Sequence, residues 1–238
     1  VELSRVVQIM GAAIAEDKDR TGIPVRLCHA FAEALEGRGA VLALSADLAQ
    51  HRILAASDSR TAELGKLEFT LGEGPGLDAV ARCRPVLVGD LAGREGDRWP
   101  VLAASIADRK LFVRAVFAFP LQVSGVSFGV LELYRDRPGS LDETDAATAR
   151  IAADLAAVAL VRSFDSPGVP AWMEDPHLDG VEIDQAVGMV MAQLRAPAEV
   201  ALSTLRARAF SEGRALGELA QDVVRRRVVF GPPELEQG

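Results

Sequence analysis

Between residues 181 and 230 apolar positions recur with a helical period three times, and each recurrence stops at a breaker. In VEIDQAVGMVMAQL, Ile183, Val187, Val190, Met191 and Leu194 fall on one stripe of a 3.6-residue helix. Arg195-Ala196-Pro197 interrupts it, since a proline clashes with helix running into it. The run AEVALSTLRARAF sets Leu202, Leu205 and Ala209 on a second stripe flanked by Ala201 and Phe210, and Gly213 is suited to end it with a left-handed cap. Leu216, Leu219, Ala220, Val223 and Val224 form the third stripe, closed by Arg225, Arg226 and Arg227. Helices this short need one another, and the three bury one small common core.

The outward faces carry Arg195, Arg206, Arg208, Arg214, Arg225, Arg226 and Arg227 against Glu182, Asp184, Glu199, Glu212, Glu218 and Asp222. The segment is therefore +1 (seven cations, six anions) in a chain of net charge -8. Arginine forks onto phosphate and stacks on bases, and it is also a good helix former; spacing alone leaves both roles open.

The strings EIDQAVGMVMAQL, EVALSTLRARAF and GRALGELAQDVV resemble the ANTAR domain, the three-helix RNA-binding output module of bacterial transcription antitermination regulators. The resemblance rests on Gln185, Ala186, Gly188 and Met191, then Ala201, Leu205, Arg206 and Ala209, then Arg214, Leu216 and Ala220. It implies RNA stem-loops as partners, with Gln185, Arg206, Arg208 and Arg214 as candidate contacts. Many members carry a lysine where this chain has Val187, and often a glycine-containing first loop where it has Arg195-Ala196-Pro197. Binding weaker than that of lysine-bearing relatives is the expectation.

Length and composition bound the rest. At 238 residues and 49% apolar content the chain has room for a mid-sized domain plus a small one. Its acidic balance argues against non-specific nucleic-acid adsorption and against a polybasic membrane contact, so RNA binding has to be local. No apolar run approaches the roughly 20 residues of a membrane span, and no basic stretch followed by an apolar one opens the sequence; a cytoplasmic protein is expected. Cys28 and Cys83 are too few for a disulfide framework, and Cys83, between Arg82 and Arg84, reads as a structural cysteine. His29, His51 and His177 lie in no metal-ligand spacing, so neither metal nor cofactor is expected.

From the N-terminus, Leu3, Val6, Val7, Met10 and Ile14 make a helical stripe with no evident core to join, which suggests self-association. A helix from Ile23 to about Leu35 follows. The period then changes to two: GAVLALSA and RILAAS read as strands, and LEFT as a third short one. The glycine run LGEGPG (71–76) lacks the Gly-Lys-Ser/Thr of a P-loop and the third glycine of GxGxxG, and Glu73 would repel phosphate; it reads as a tight connection into a helix over 77–82. PVLVGDLA is a strand, a short helix lies over 101–107, and AVFAFPLQV and VSFGVLELY form a hairpin about Ser124-Gly125. Gly125-Val126-Ser127-Phe128-Gly129 matches a nucleophile elbow by letter only, because strand continues where the elbow needs a helix. Ser140 to Glu143 reads as a capping box opening a helix with Ile151, Leu155 and Val158 inward. Three prolines and two glycines in residues 163–180 separate this domain from the three-helix unit.

LGEGPGLDAVARCRPVLVGDL, Arg98-Trp99-Pro100 and FAFPLQVSGVSFGVLELYR resemble the GAF domain over most of 23–163. The resemblance implies an α+β fold, a GAF-like antiparallel sheet with flanking helices, followed by the small ANTAR-like three-helix domain. The expected division is 1–163 (with an N-terminal helix in 1–17), linker 164–180, helical domain 181–230 and tail 231–238. GAF folds dimerise through terminal helices and sometimes bind small molecules; here an unknown ligand would draw on Phe69, Leu71, Phe112, Phe117 and Phe119, residues an ordinary core also needs. GAF followed by ANTAR is a familiar order in actinobacterial regulators. Two functions follow: a homodimeric, non-enzymatic RNA-binding antitermination regulator, or a protein interaction module with a ligand-free GAF domain and no RNA binding.

Overall fold

The computed structural model describes residues 2–15, 22–45, 51–163 and 181–231. The expected linker, and the tail beyond residue 231, lie outside the described residues. In order the elements are α1 (Leu3–Ala15), α2 (Ile23–Ala34), β1 (Gly39–Ser45), β2 (His51–Ala56), α3 (Ser59–Leu71), α4 (Pro75–Arg82) and β3 (Val86–Val88). A 3-10 turn (Arg94–Arg98), α5 (Pro100–Asp108), β4 (Ala115–Val123), β5 (Val126–Arg135) and α6 (Glu143–Ser163) complete the first domain. The second is α7 (Val181–Leu194), α8 (Ala198–Ser211) and α9 (Leu216–Val224).

The five strands form one antiparallel sheet in the order β2-β1-β5-β4-β3. Ser124 and Gly125 join β4 to β5 with φ of 51° and 80°, the two positive values that match a two-residue turn to the strand twist. Both sheet faces are covered, so alternate residues of each strand enter different cores. Phe117, Phe119, Leu121, Leu131 and Leu133 meet α1, α2 and α6. Val116, Ala118, Val130 and Tyr134 point the other way, into a core with Leu64 and Leu67 of α3, Trp99, and Leu102 and Ile106 of α5.

Four expectations need correction. LEFT is not a strand but the last turns of α3, where Leu64, Leu67 and Leu71 supply a helical stripe. Asp58 accepts hydrogen bonds from the Arg60 and Thr61 amides at 2.9 and 3.0 Å, Thr61 Oγ1 accepts the Asp58 amide in return, and Gly72 ends the helix at φ 71°. Helix α6 is capped by Asp142, whose Oδ1 accepts the Asp145 amide at 2.7 Å; Ser140 is not the cap. Its buried face is alanine (Ala149, Ala152, Ala153, Ala156, Ala157) with Leu160, whereas Ile151 and Val158 are exposed, because small residues let the helix lie close against the sheet and its neighbours. Lastly, α1 does have a core to join: Val6 and Met10 are fully buried against α2 and α6, leaving Leu3 and Val7 outside.

Candidate nucleic-acid interface

Helices α7, α8 and α9 enclose Ile183, Ala186, Val190, Leu202, Leu205, Leu219 and Val223. Val187 belongs to this core, 8% exposed. Gly213 takes φ 64° after α8, and the Arg214 amide donates back to the Ala209 carbonyl at 2.9 Å. That reversal sets Arg214 beside α9, where it donates to Asp222 at 2.5 Å and to Glu212 at 3.2 Å. Arg208 donates to Glu212 at 2.8 Å and lies over the Phe230 ring at 5.1 Å, and Arg227 reaches Asp222 at 3.4 Å. Three arginines thus converge on two carboxylates, a row with one cation in excess. Hydrogen bonds from Arg208 and Arg214 hold the Glu212 carboxyl below its ordinary pKa, and those from Arg214 do the same for Asp222. Gln185, Arg225 and Arg226 are exposed.

Arg206 stands apart, as expected of residues about 160° from Arg208 around one helix. It faces the sheet domain, with its guanidinium over Phe69 of α3 at 5.1 Å. A Cβ on Gly72 would come within 2.9 Å of Arg206 Nη1, but it is the φ of 71° that calls for glycine at this cap. Burial pushes the Arg206 pKa down to about 10, leaving it charged at neutral pH. Phe69, 6% exposed, belongs to the three-helix core. Arg52 of β2 and Asp184 of α7 add an ion pair at 3.4 Å, and a cavity of about 190 Å³ lies between Ile53, Lys66 and Phe69 on one side and Ile183, Leu216 and Gln221 on the other.

The residues expected to line a ligand pocket are dispersed. Phe117 and Phe119 are buried on the α2/α6 side of the sheet, Phe69 joins the helical domain, Leu71 packs beside the α3/α5 core, and Phe112 is 71% exposed. What occupies the α3/α4 side was not anticipated. Glu68 of α3 and Glu132 of β5 are both buried and hydrogen-bonded to each other. The Gly76 amide donates to Glu68 Oε2 at 3.1 Å and Tyr134 Oη to Glu132 Oε2 at 3.3 Å. The glycine run wraps this pair: a Cβ on Gly74 would stand 2.1 Å from Glu68 Oε2, and one on Gly76 2.3 Å from Glu132 Oε1. Burial raises both carboxyl pKa values, Glu132 to about 7, so the pair shares a proton at neutral pH. The available signal was Glu132 inside VLELY, a strand otherwise apolar on both faces. Glu73 caps α5, accepting the Leu102 amide at 2.8 Å.

Ser127 lies within β5, donating to the Gly129 carbonyl at 3.3 Å. Cys28 is buried, which pushes its thiol pKa up, and Cys83 is exposed at the end of α4. Among the described residues no histidine, cysteine or carboxylate group of three could hold a metal ion, and no helix is long and apolar enough to cross a membrane.

Comparison with known proteins agrees with this architecture. The GAF domain profile matches residues 18–161 and the ANTAR domain profile residues 179–224. Among solved structures, the GAF domain of a phosphoenolpyruvate-protein phosphotransferase from Coxiella burnetii aligns at 16% identity with a TM-score of 0.54, over 69% of this chain and 98% of that one. The GAF domain of the Acinetobacter phosphoenolpyruvate-protein phosphotransferase aligns at 11% identity and TM-score 0.54, over 68% and 95%. At such identities the likeness shows the fold alone. No curated protein matches. The GAF match spans more than half of the chain and the ANTAR match follows it, so the chain belongs to the GAF domain family and carries an ANTAR domain, the architecture of antitermination regulators.

Proposed function

We propose that the chain is a non-enzymatic, RNA-binding antitermination regulator in which the GAF domain dimerises or senses a signal and controls the ANTAR helices. The observation that carries this reading is the row Arg208, Arg214 and Arg227, tied together through the carboxylates of Glu212 and Asp222. Splayed loop bases and closely spaced phosphates suit arginines presented in this way. Arg206, turned to the GAF domain, would reach RNA only if the two domains part. Two copies held together would bind a two-hairpin RNA more tightly than one copy through effective concentration.

The test is a fluorescence-anisotropy titration of the full chain against a two-hairpin RNA and a scrambled-loop control. Arg208→Ala and Arg214→Ala are each expected to weaken binding and to flatten the log-log salt dependence by roughly one unit or less. Unchanged affinity in both would favour a partner-binding module instead.

A further inference from the structure

Phe112 is costly twice over. Its φ of 50° is left-handed, in a loop where Lys110 also has φ 55°, and its ring is 71% exposed. A bulky residue gains nothing from that backbone, and the core gains nothing from that ring. Phe210 of α8 is likewise 56% exposed, although it neighbours the buried stripe. Both rings border the seam where α3 meets α5 and the loop that follows α5, Phe112 from that loop and Phe210 from α8. Phe112 lines a groove of about 410 Å³ with Leu64, Arg38, Arg60 and Arg135. Phe210 lines a second of about 170 Å³ with Leu67, Leu71, Arg109 and Arg214. Leu64, Leu67 and Leu71 are one stripe of α3, so the two grooves follow each other along a single helix. Arg109, paired with Glu63 at 3.4 Å, stands on α5's end of the seam.

We propose that this seam is an RNA-binding track that continues the ANTAR surface onto the GAF domain, with Phe210 and Phe112 as stacking platforms for unpaired loop bases and Arg109 between them for phosphate. The proposal rests on the RNA-binding reading above. The chemistry fits single-stranded RNA: flat aromatic faces accept any base, and arginines beside them serve backbone and base alike. Asp58, Glu63, Asp108 and Asp136 lie along the same seam, so attraction by charge alone is weak and duplex RNA has little to hold. A 13-residue α3 spans about 20 Å, room for at most about six nucleotides at the roughly 3.4 Å spacing of a stacked strand.

The experiment uses the full-length chain with a fluorescent two-hairpin RNA and a blunt duplex of equal length. Phe112→Gly relieves the left-handed backbone, so it is expected to leave the melting temperature unchanged or higher while weakening loop binding roughly 5- to 100-fold; Phe210→Ala should weaken it similarly. Arg109→Ala should lower affinity and the salt slope, and 4-thiouridine in the loop should cross-link to peptides containing Phe112 or Phe210. If the wild type binds and Arg214→Ala weakens it, but both phenylalanine variants bind as the wild type does, the track is wrong and the ANTAR reading stands. If the wild type binds neither RNA, both fall. A Phe112→Gly protein that changes oligomeric mass but not RNA affinity would make the patch a protein interface and overturn the proposal.

Discussion

At the scale of single residues, the most consequential side chains are the two buried glutamates. The folded protein raises the Glu132 pKa from 4.5 to about 7, so it retains a proton that the unfolded chain releases near 4.5. The stabilisation this carries is complete below about pH 4.5 and is lost as the pH rises through about 7, on the order of 3 kcal/mol at 1.36 kcal/mol per pKa unit. Urea denaturation should therefore show the wild type losing stability between pH 5 and 8 relative to Glu132→Gln, whose amide donates to Glu68 without a proton to lose. Parallel pH profiles for the two proteins would contradict the raised Glu132 pKa. The close fit of Gly76 gives a second expectation: Gly76→Ala drives a Cβ to 2.3 Å from Glu132 Oε1 and should cost about 1–3 kcal/mol by the same measurement.

Among the elements, α6 shows how a stripe can mislead. Ile151, Leu155 and Val158 have helical spacing and the greater hydrophobicity, yet the alanines are buried, since close helix packing selects for volume before hydrophobicity. Ala156→Leu should then destabilise by about 1–3 kcal/mol through overpacking, read as a lower denaturation midpoint. The side chains left outside, Ile151, Val158 and Val161 on α6 with Leu3 and Val7 on the adjacent α1, motivate the proposed homodimer. Light scattering at micromolar concentration should give twice the chain mass for the wild type and the single mass for Val158→Glu, with unchanged circular dichroism; a monomeric wild type would sink the arrangement. The strands β4 and β5 and the three ANTAR helices were legible because local pattern and final packing agree there. Helix α3 was not, because Phe69 and Thr70 look like strand residues until Asp58 and Gly72, at its two ends, are seen as caps. Misplacing α3 also hid the company of Arg206: the sequence names the cation, but its partner lies 137 positions earlier, on an element whose type it did not reveal.

For the whole molecule, that partner decides where one domain stops. Phe69 is a residue of the GAF domain by sequence and of the ANTAR core by contact. Phe69→Ala should cost about 3–5 kcal/mol, and hydrogen exchange should find the lost protection in α7, α8 and α9 more than in β4 and β5. Equal loss everywhere, or loss confined to the sheet, would mean the helical core closes without it. Cutting the chain in the region 164–180 would leave the helical fragment with the socket of Phe69 open to water. Glu68 and Phe69 are neighbours on α3, one turned to the shared proton and the other to Arg206. A side chain stands roughly 5–6 Å from its helix axis, so turning α3 by about 20° to separate two carboxylates would swing the Phe69 ring by about 2 Å beneath that guanidinium. The two side chains share one helix, so the place of the carboxyl pair in the sheet domain and the seat of Arg206 on the helical domain are set together.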